Sequence, residues 1–241
     1  MKKTRISIIV LAGLLIFWGC VKENLEAPAV RTVEAGSIDY DAPAFMAQAP
    51  VSDDTRTSIG TDKKITWTAD DRISVFSAST INSQYTFTGN TGDATGTFNK
   101  IAGDYPEGAS LSANYAVYPY SVSNEMSEKG GVDGFMSVVL PSVQKYAKNS
   151  FGLGANTMVA VTNFQEDNLL PFKNLCGYVV VKLYGTETVT SIKLEGNDGE
   201  RISGKAEVQV FQPSVTMLKE GTTSITLDCG DGVTLGTTEE T

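Results

Sequence analysis

Apolar and polar residues alternate with a period of two over much of the second half of the chain. The alternation is clear at residues 191–195, 202–210 and 224–229, and a period of two is typical of half-buried β-strands. Between the first two runs, residues 196–199 read Gly-Asn-Asp-Gly, which are the residue types that accept mirror-image hairpin turns. The pattern therefore predicts that strands 191–195 and 202–210 pair as a hairpin. Residues 177–184 are almost continuously apolar or aromatic, which predicts a central strand.

The first half of the chain carries strand signals that are shorter but equally frequent. Apolar or aromatic runs occur at residues 65–67, 72–78, 115–118 and 137–140. Turn-forming Gly, Asn, Asp and Pro residues separate them. Many short strands with frequent turns indicate an all-β chain, which we expect to form two tandem antiparallel β-sandwich domains.

A polar and glycine-rich stretch at residues 145–157 suggests the domain boundary. The N-terminal sandwich is then expected at residues 38–150 and the C-terminal one at 151–241. The second is small for a closed sandwich, and its last residues contain no apolar strand. Either the fold is compact or truncated, or another chain supplies a strand, because an unpaired sheet edge invites strand addition.

The N-terminus has the pattern of an export signal. Basic residues precede a run of thirteen largely apolar residues at positions 6–18. As a helix this run would measure about 20 Å, against a hydrocarbon core of roughly 30 Å. It is therefore predicted to be a signal peptide, residues 1–19, with Cys20 acylated as the first mature residue. An ordinary secretory peptide and a retained anchor are the alternatives, because Phe17 and Trp18 depart from the usual lipobox.

Residues 20–37 show no sustained period and are expected to be a tether between the lipid and the folded body. The whole chain has a net charge of −9, and removal of a basic signal peptide makes the remainder more acidic. Such a chain is a poor candidate for binding nucleic acid or anionic membrane surfaces.

The chain contains no histidine, which excludes Ser-His-Asp catalysis, Cys-His catalysis and every His-ligated metal site. The densest carboxylate pairs are Asp53-Asp54 and Asp70-Asp71, and acidic dipeptides in turns are usually solvated turn formers. We therefore predict no enzymatic activity, no metal site and no cofactor.

Two cysteines remain besides Cys20. Cys229 shares its phase with apolar residues of a predicted strand, whereas the phase of Cys176 is ambiguous. An export compartment permits a disulfide between them, but the pattern favours two buried free thiols.

Trp67 and Tyr120 belong to a set of aromatic residues that could form a stacking platform for a glycan. The same residue types also fill the cores of β-sandwiches. Alternation along a strand allows only half of such a set to face one way.

Several short strings follow one another in order between residues 55 and 229. They are Thr-Arg-Thr-Ser (55–58), Ile-Thr-Trp (65–67), Asp-Arg-Ile-Ser-Val-Phe (71–76), Tyr-Ala-Val-Tyr-Pro-Tyr (115–120), Leu-Pro (140–141) with Gln144, Met-Val-Ala (158–160) and Phe-Lys-Asn-Leu-Cys-Gly (172–177). In this order they resemble the fimbrillin-like lipoproteins of Gram-negative gut and oral anaerobes. The resemblance is to the wider superfamily and not to a particular pilin.

The resemblance implies two transthyretin-like sandwiches on a lipoprotein exposed at the outer membrane. It also implies trimming by an arginine-specific protease, for which Arg31 and Arg56 are the candidate sites, and strand addition between pilus subunits. The expected role is structural or adhesive, with a pilus subunit, a surface glycan or a host protein as partner. The alternative is a glycan-binding lipoprotein of an outer-membrane polysaccharide-uptake system.

Overall fold

The computed structural model describes residues 36–50, 65–104, 111–127, 134–148, 150–152, 154–218 and 220–237. This part of the chain contains strands and no helix, which confirms the all-β prediction. The strands are β1 (Phe45–Gln48), β2 (Arg72–Phe76), β3 (Ser83–Phe87), β4 (Thr95–Ala102), β5 (Tyr115–Tyr118), β6 (Glu125–Ser127), β7 (Phe135–Leu140), β8 (Val143–Lys145), β9 (Met158–Val161), β10 (Leu169–Pro171), β11 (Lys173–Asn174), β12 (Thr188–Glu195), β13 (Gly204–Gln209), β14 (Ser214–Met217) and β15 (Ser224–Thr234).

The largest sheet has the strand order β10-β1-β4-β3-β2-β5-β9-β11. Its two ends are joined by one extended segment, because β10 pairs with β1 and β11 pairs with β9. Only Phe172 separates β10 from β11, and its N–H donates to the carbonyl oxygen of Gln48 at 2.9 Å. The segment therefore hydrogen-bonds to both ends of the sheet and closes it.

The interior of this closed sheet is filled by an aromatic cluster around Trp67, whose exposed fraction is 1%. The Trp67 ring makes edge contacts with Phe98, Tyr118 and Phe172 at centroid distances of 5.1, 5.7 and 5.2 Å. These rings come from separate parts of the sheet. Packing around one indole therefore ties the sheet together across its interior.

Strand β5 is buried on both faces, and its residues alternate between two cores. Ala116 and Tyr118 belong to the cluster around Trp67, whereas Tyr115 and Val117 belong to a second cluster on the outside of the closed sheet. A second sheet, β14-β13-β7-β6, supplies the other half of that cluster. The four buried residues of β5 thus connect two layers of apolar packing.

The second sheet combines strands from both halves of the chain. β7 and β13 are antiparallel, with Val138 opposite Ala206 and Met136 opposite Val208. All four side chains are buried in the second cluster. Strands from before and after the boundary expected between residues 150 and 151 therefore share this sheet. The buried side chains of β13 lie in one cluster with Tyr115 and Val117 of the first half.

A third sheet has the order β12-β15-β8. β12 and β15 are antiparallel, with Ile192 opposite Leu227. β8 runs parallel to β15, and Lys145 forms an exposed ion pair with Asp228 at this junction. The hairpin expected around residues 196–199 is wrong: Gly199 adopts a positive φ of 80° in the turn, but β12 and β13 on either side of it belong to different sheets.

The strand expected at residues 177–184 is also wrong, because no strand forms there. Its apolar side chains are largely exposed to solvent, since none of the three sheets covers them. Cys176 and Cys229 are free thiols, as predicted. Their predicted burial is wrong, because Cys176 is exposed and Cys229 is half-buried.

Replacement of Trp67 by Ala should destabilise the fold by roughly 3–5 kcal/mol, because it removes the ring at the centre of the aromatic cluster. Urea unfolding followed by near-ultraviolet circular dichroism measures the loss. Val122→Ala is the matched control, since Val122 is 78% exposed and its truncation should cost no more than about 0.5 kcal/mol. Equal effects of the two substitutions would contradict the central role of Trp67.

Candidate functional site

Residues 179–184 are apolar except for Lys182 and are exposed as a continuous run, and we call them the uncovered segment. The chain is fixed immediately before it by Tyr178. The Tyr178 hydroxyl donates to Asn156 Oδ1 at 2.8 Å, and its ring lies 4.4 Å from that of Phe151, centroid to centroid. The start of the uncovered segment is therefore held against the loop that precedes β9.

The chain is fixed again immediately after the uncovered segment. Gly185 N–H donates to the carbonyl oxygen of Gly236 at 3.1 Å, and Leu235 N–H donates to that of Glu187 at 2.9 Å. These contacts tie residues 185–187 to the chain that follows β15. The uncovered segment thus runs between two anchors.

Between the anchors, the side chains are exposed in both strand phases. Val179 is 69% exposed, and Val180, Val181, Leu183 and Tyr184 are also exposed. Three β-branched valines, a leucine and a tyrosine, interrupted only by Lys182, have a high tendency to pair as a strand. Contiguous exposed apolar residues of this kind usually mark an interaction site or an aggregation hazard.

The uncovered segment leads directly into β12, which is an edge strand. Among the described residues, β12 has a hydrogen-bonded neighbour on one side only, which is β15. Ile192 of β12 is half-buried and Leu194 is exposed. The region therefore offers a strand edge next to an apolar run, and both features favour the addition of an extended chain.

The residues predicted from the sequence to form a stacking platform lie in different environments. Trp67 is buried in the first core, so its ring faces are packed against other aromatic rings instead of facing solvent. Tyr120 is half-buried, and its N–H donates to the carbonyl oxygen of Arg72 at 2.8 Å. The platform prediction is thus wrong for Trp67, because a core position leaves no ring face for a glycan.

Cys20, Arg31 and Arg56, the expected lipid-bearing and trimming residues, lie outside the described residues. The Asp53-Asp54 pair lies outside them as well.

The second predicted carboxylate pair does not converge on one site. Asp70 is exposed in a turn with a positive φ of 65°. Asp71 is buried, and its carboxylate accepts from the Thr68 N–H at 2.7 Å and from the Tyr118 hydroxyl at 3.1 Å. Burial raises the pKa of Asp71 above its usual value, partly offset by these two hydrogen bonds. Burial and the neighbouring Asp71 carboxylate likewise raise the pKa of Tyr118. The hydrogen bond between Asp71 and Tyr118 therefore links the turn to β5.

Two further observations bear on the site. Across the ranges that the structure describes, no group of three or more Cys, Asp or Glu side chains is placed to hold a metal ion. The same ranges contain no helix that is long and apolar enough to cross a membrane.

Sequence reasoning found the residues of the uncovered segment but assigned them the wrong environment. A continuous apolar run is the usual mark of a strand buried on both faces, and nothing in the residues themselves says which layers will cover it. No pattern in the sequence indicates the loop at residues 162–167 either. Phe164 is its one apolar residue, and a single apolar residue shows no periodicity.

No protein-family model, no curated protein and no solved structure matches the chain. Any function assigned to the chain therefore depends on its own residues and contacts.

Asp71→Asn should change how stability depends on pH. Because the folded-state pKa of Asp71 is raised, its contribution is fully present below the unfolded pKa of about 3.9 and is lost as pH rises through the folded-state value. The melting temperature of the variant minus that of wild type should therefore increase between pH 3 and pH 7. Asp70→Asn, in the same turn but exposed, is the matched control. A difference that stays constant with pH, or moves the other way, would contradict the raised pKa.

Proposed function

We propose that the chain is a non-enzymatic cell-surface lipoprotein of the fimbrillin or adhesin type. In this proposal, acyl chains on Cys20 anchor it to the outer membrane, and the folded body makes contacts by accepting or donating a β-strand. The observation that carries the proposal is the uncovered segment beside the edge of β12.

The pattern of exposure favours strand addition over the binding of a small apolar ligand. A ligand pocket is concave and encloses most of its ligand, whereas the uncovered segment exposes both strand phases. A strand with two apolar faces becomes stable when it is paired and covered on both sides. The partner must therefore bring a backbone edge together with an apolar layer, which is what another β-sheet protein offers.

Export is consistent with this role. The basic and then apolar N-terminus followed by Cys20 would deliver the chain to a membrane surface, and stable anchoring takes more than one acyl chain. The ordered resemblance to fimbrillin-like lipoproteins adds the expectation that the partner is another subunit of a surface assembly.

The alternative role as a glycan-binding lipoprotein has weaker support. The burial of Trp67 removes one of the two proposed stacking residues, and Tyr120 alone does not make a platform. Catalysis has weaker support still, because the chain has no histidine and Asp70 and Asp71 face different environments.

Strand addition should be weakened by charges within the uncovered segment. The wild-type chain is expected to form a ladder of oligomers on SDS gels run without heating. Val179→Lys/Val181→Lys should remove most of the ladder, because two charges in addition to that of Lys182 are too costly to bury at the new interface. Val122→Lys, at an exposed position in another loop, is the matched control and should leave the ladder intact. A wild-type chain that is strictly monomeric, or a ladder that survives in the double variant, would contradict the proposal.

Lipidation has a separate test. Mass spectrometry of the chain purified from bacterial membranes should find an N-terminal peptide that starts at Cys20 and carries acyl chains, and Cys20→Ser should abolish this acylated peptide. An unmodified Cys20 in wild type would contradict the anchor and leave a secreted protein.

A further inference from the structure

The loop between β9 and β10 carries an exposed aromatic side chain on a backbone that is fixed by hydrogen bonds. Phe164 is 66% exposed and belongs to neither apolar core. Phe164 N–H donates to Asp167 Oδ2 at 3.1 Å, and the Thr162 hydroxyl donates to the Phe164 carbonyl oxygen at 2.6 Å. The backbone on both sides of the ring is therefore fixed by polar contacts that do not involve the ring.

A buried asparagine, Asn114, also holds the backbone of this loop. Asn114 is 1% exposed, and its Nδ2 donates to the carbonyl oxygens of Gln165 and Asp167 at 2.8 and 2.9 Å. Its Oδ1 accepts from the Ser77 hydroxyl at 2.7 Å. Because a buried amide is costly to leave unsatisfied, this arrangement resists rearrangement. Phe164 is thus presented to solvent on a preorganised loop, which reduces the entropic cost of binding.

A groove of about 320 Å³ begins at the base of the loop, and Thr162 and Asn163 form part of its lining. Its apolar wall includes Val161, Val210 and Phe211. Phe211 is itself held in place by an edge contact with Tyr115, with the ring centroids 6.0 Å apart. Gly134 leaves room for the Phe211 ring, because a Cβ at that position would lie 2.4 Å from it.

The charges beside Phe164 and those lining the groove have opposite signs. Glu166 and Asp167 lie in the loop beside Phe164, and Lys173 lines the groove. An exposed aromatic side chain, a groove lined by both apolar and polar residues, and opposite charges are thus adjacent in a single chain. An interface with two-fold symmetry requires such self-complementarity, because each copy presents the same patch to the other.

We propose that two copies of this chain form a symmetric dimer in which Phe164 of each copy occupies the groove of the other. Glu166 of one copy then lies close to Lys173 of its partner. Aromatic anchors that enter a fixed pocket dominate many protein interfaces. The contact is separate from the strand addition proposed above, since it uses a different loop and requires no new strand pairing.

The dimer is tested in the full-length Val179→Lys/Val181→Lys chain, purified in detergent, so that strand addition does not contribute to the result. Sedimentation equilibrium should detect a dimer, and Phe164→Ala should raise its dissociation constant about tenfold or more. Val122→Ala, at another strongly exposed apolar residue, is the control and should leave the constant unchanged. A monomer before any change at Phe164, or equal constants for the two variants, would overturn the proposal.

A charge exchange tests the geometry. Lys173→Glu should weaken the dimer about tenfold, because it places like charges together, and adding Glu166→Lys should restore most of the affinity. Rescue of this kind requires the two side chains to meet across the interface. Absence of rescue would overturn the proposed pairing.

A photoreactive phenylalanine at position 164 locates the partner directly. In a mixture of ¹⁴N- and ¹⁵N-labelled chains, cross-links between the two isotopes should join position 164 to peptides that contain Lys173, Val210 or Phe211. Cross-links between copies that fall elsewhere, or that occur only within one copy, would overturn the proposal.

Discussion

The closure of the largest sheet by residues 169–174 is the contact on which the remaining structure depends. The first part of this segment pairs with β1 and the last part with β9. Between them, Phe172 places its ring 5.2 Å from the indole of Trp67, centroid to centroid. Closing the sheet and filling its interior are therefore achieved by the same short segment. Each stabilises the other, because the backbone pairing positions the ring and the packed ring holds the backbone in place.

Closure also explains the position of the uncovered segment. Once the sheet is closed, Tyr115 and Val117 face outward and need an apolar layer, which β7 and β13 provide. β13 is then unavailable to β12, although only residues 196–203 separate the two strands. The third sheet is left with β12, β15 and β8. Residues 179–184 thus stay exposed as a consequence of how the other strands are used.

The sequence alone predicts the strand content well and the strand partners poorly. Alternation in β13 correctly indicates which side chains are buried, since Ala206 and Val208 are both in a core. It does not indicate what covers them, because a period of two specifies a face and not a neighbour. The Gly-Asn-Asp-Gly sequence has the same limit: Gly199 adopts a positive φ in a turn, but long-range packing directs the flanking strands to different sheets. Trp67 was ambiguous for a related reason, since aromatic residues suit both a core and a ligand platform.

Phe164 and the uncovered segment differ in how well ordered they are before binding. Phe164 is held by a loop whose hydrogen bonds include a buried asparagine, so its binding surface exists in the free chain. The uncovered segment is fixed at its two anchors, and its own residues form no strand. Pairing it with a partner requires further ordering, which reduces the net affinity for a given buried area. The preformed surface is therefore suited to a reversible contact, whereas the uncovered segment is suited to a contact in which many backbone hydrogen bonds and a large apolar area offset the ordering cost.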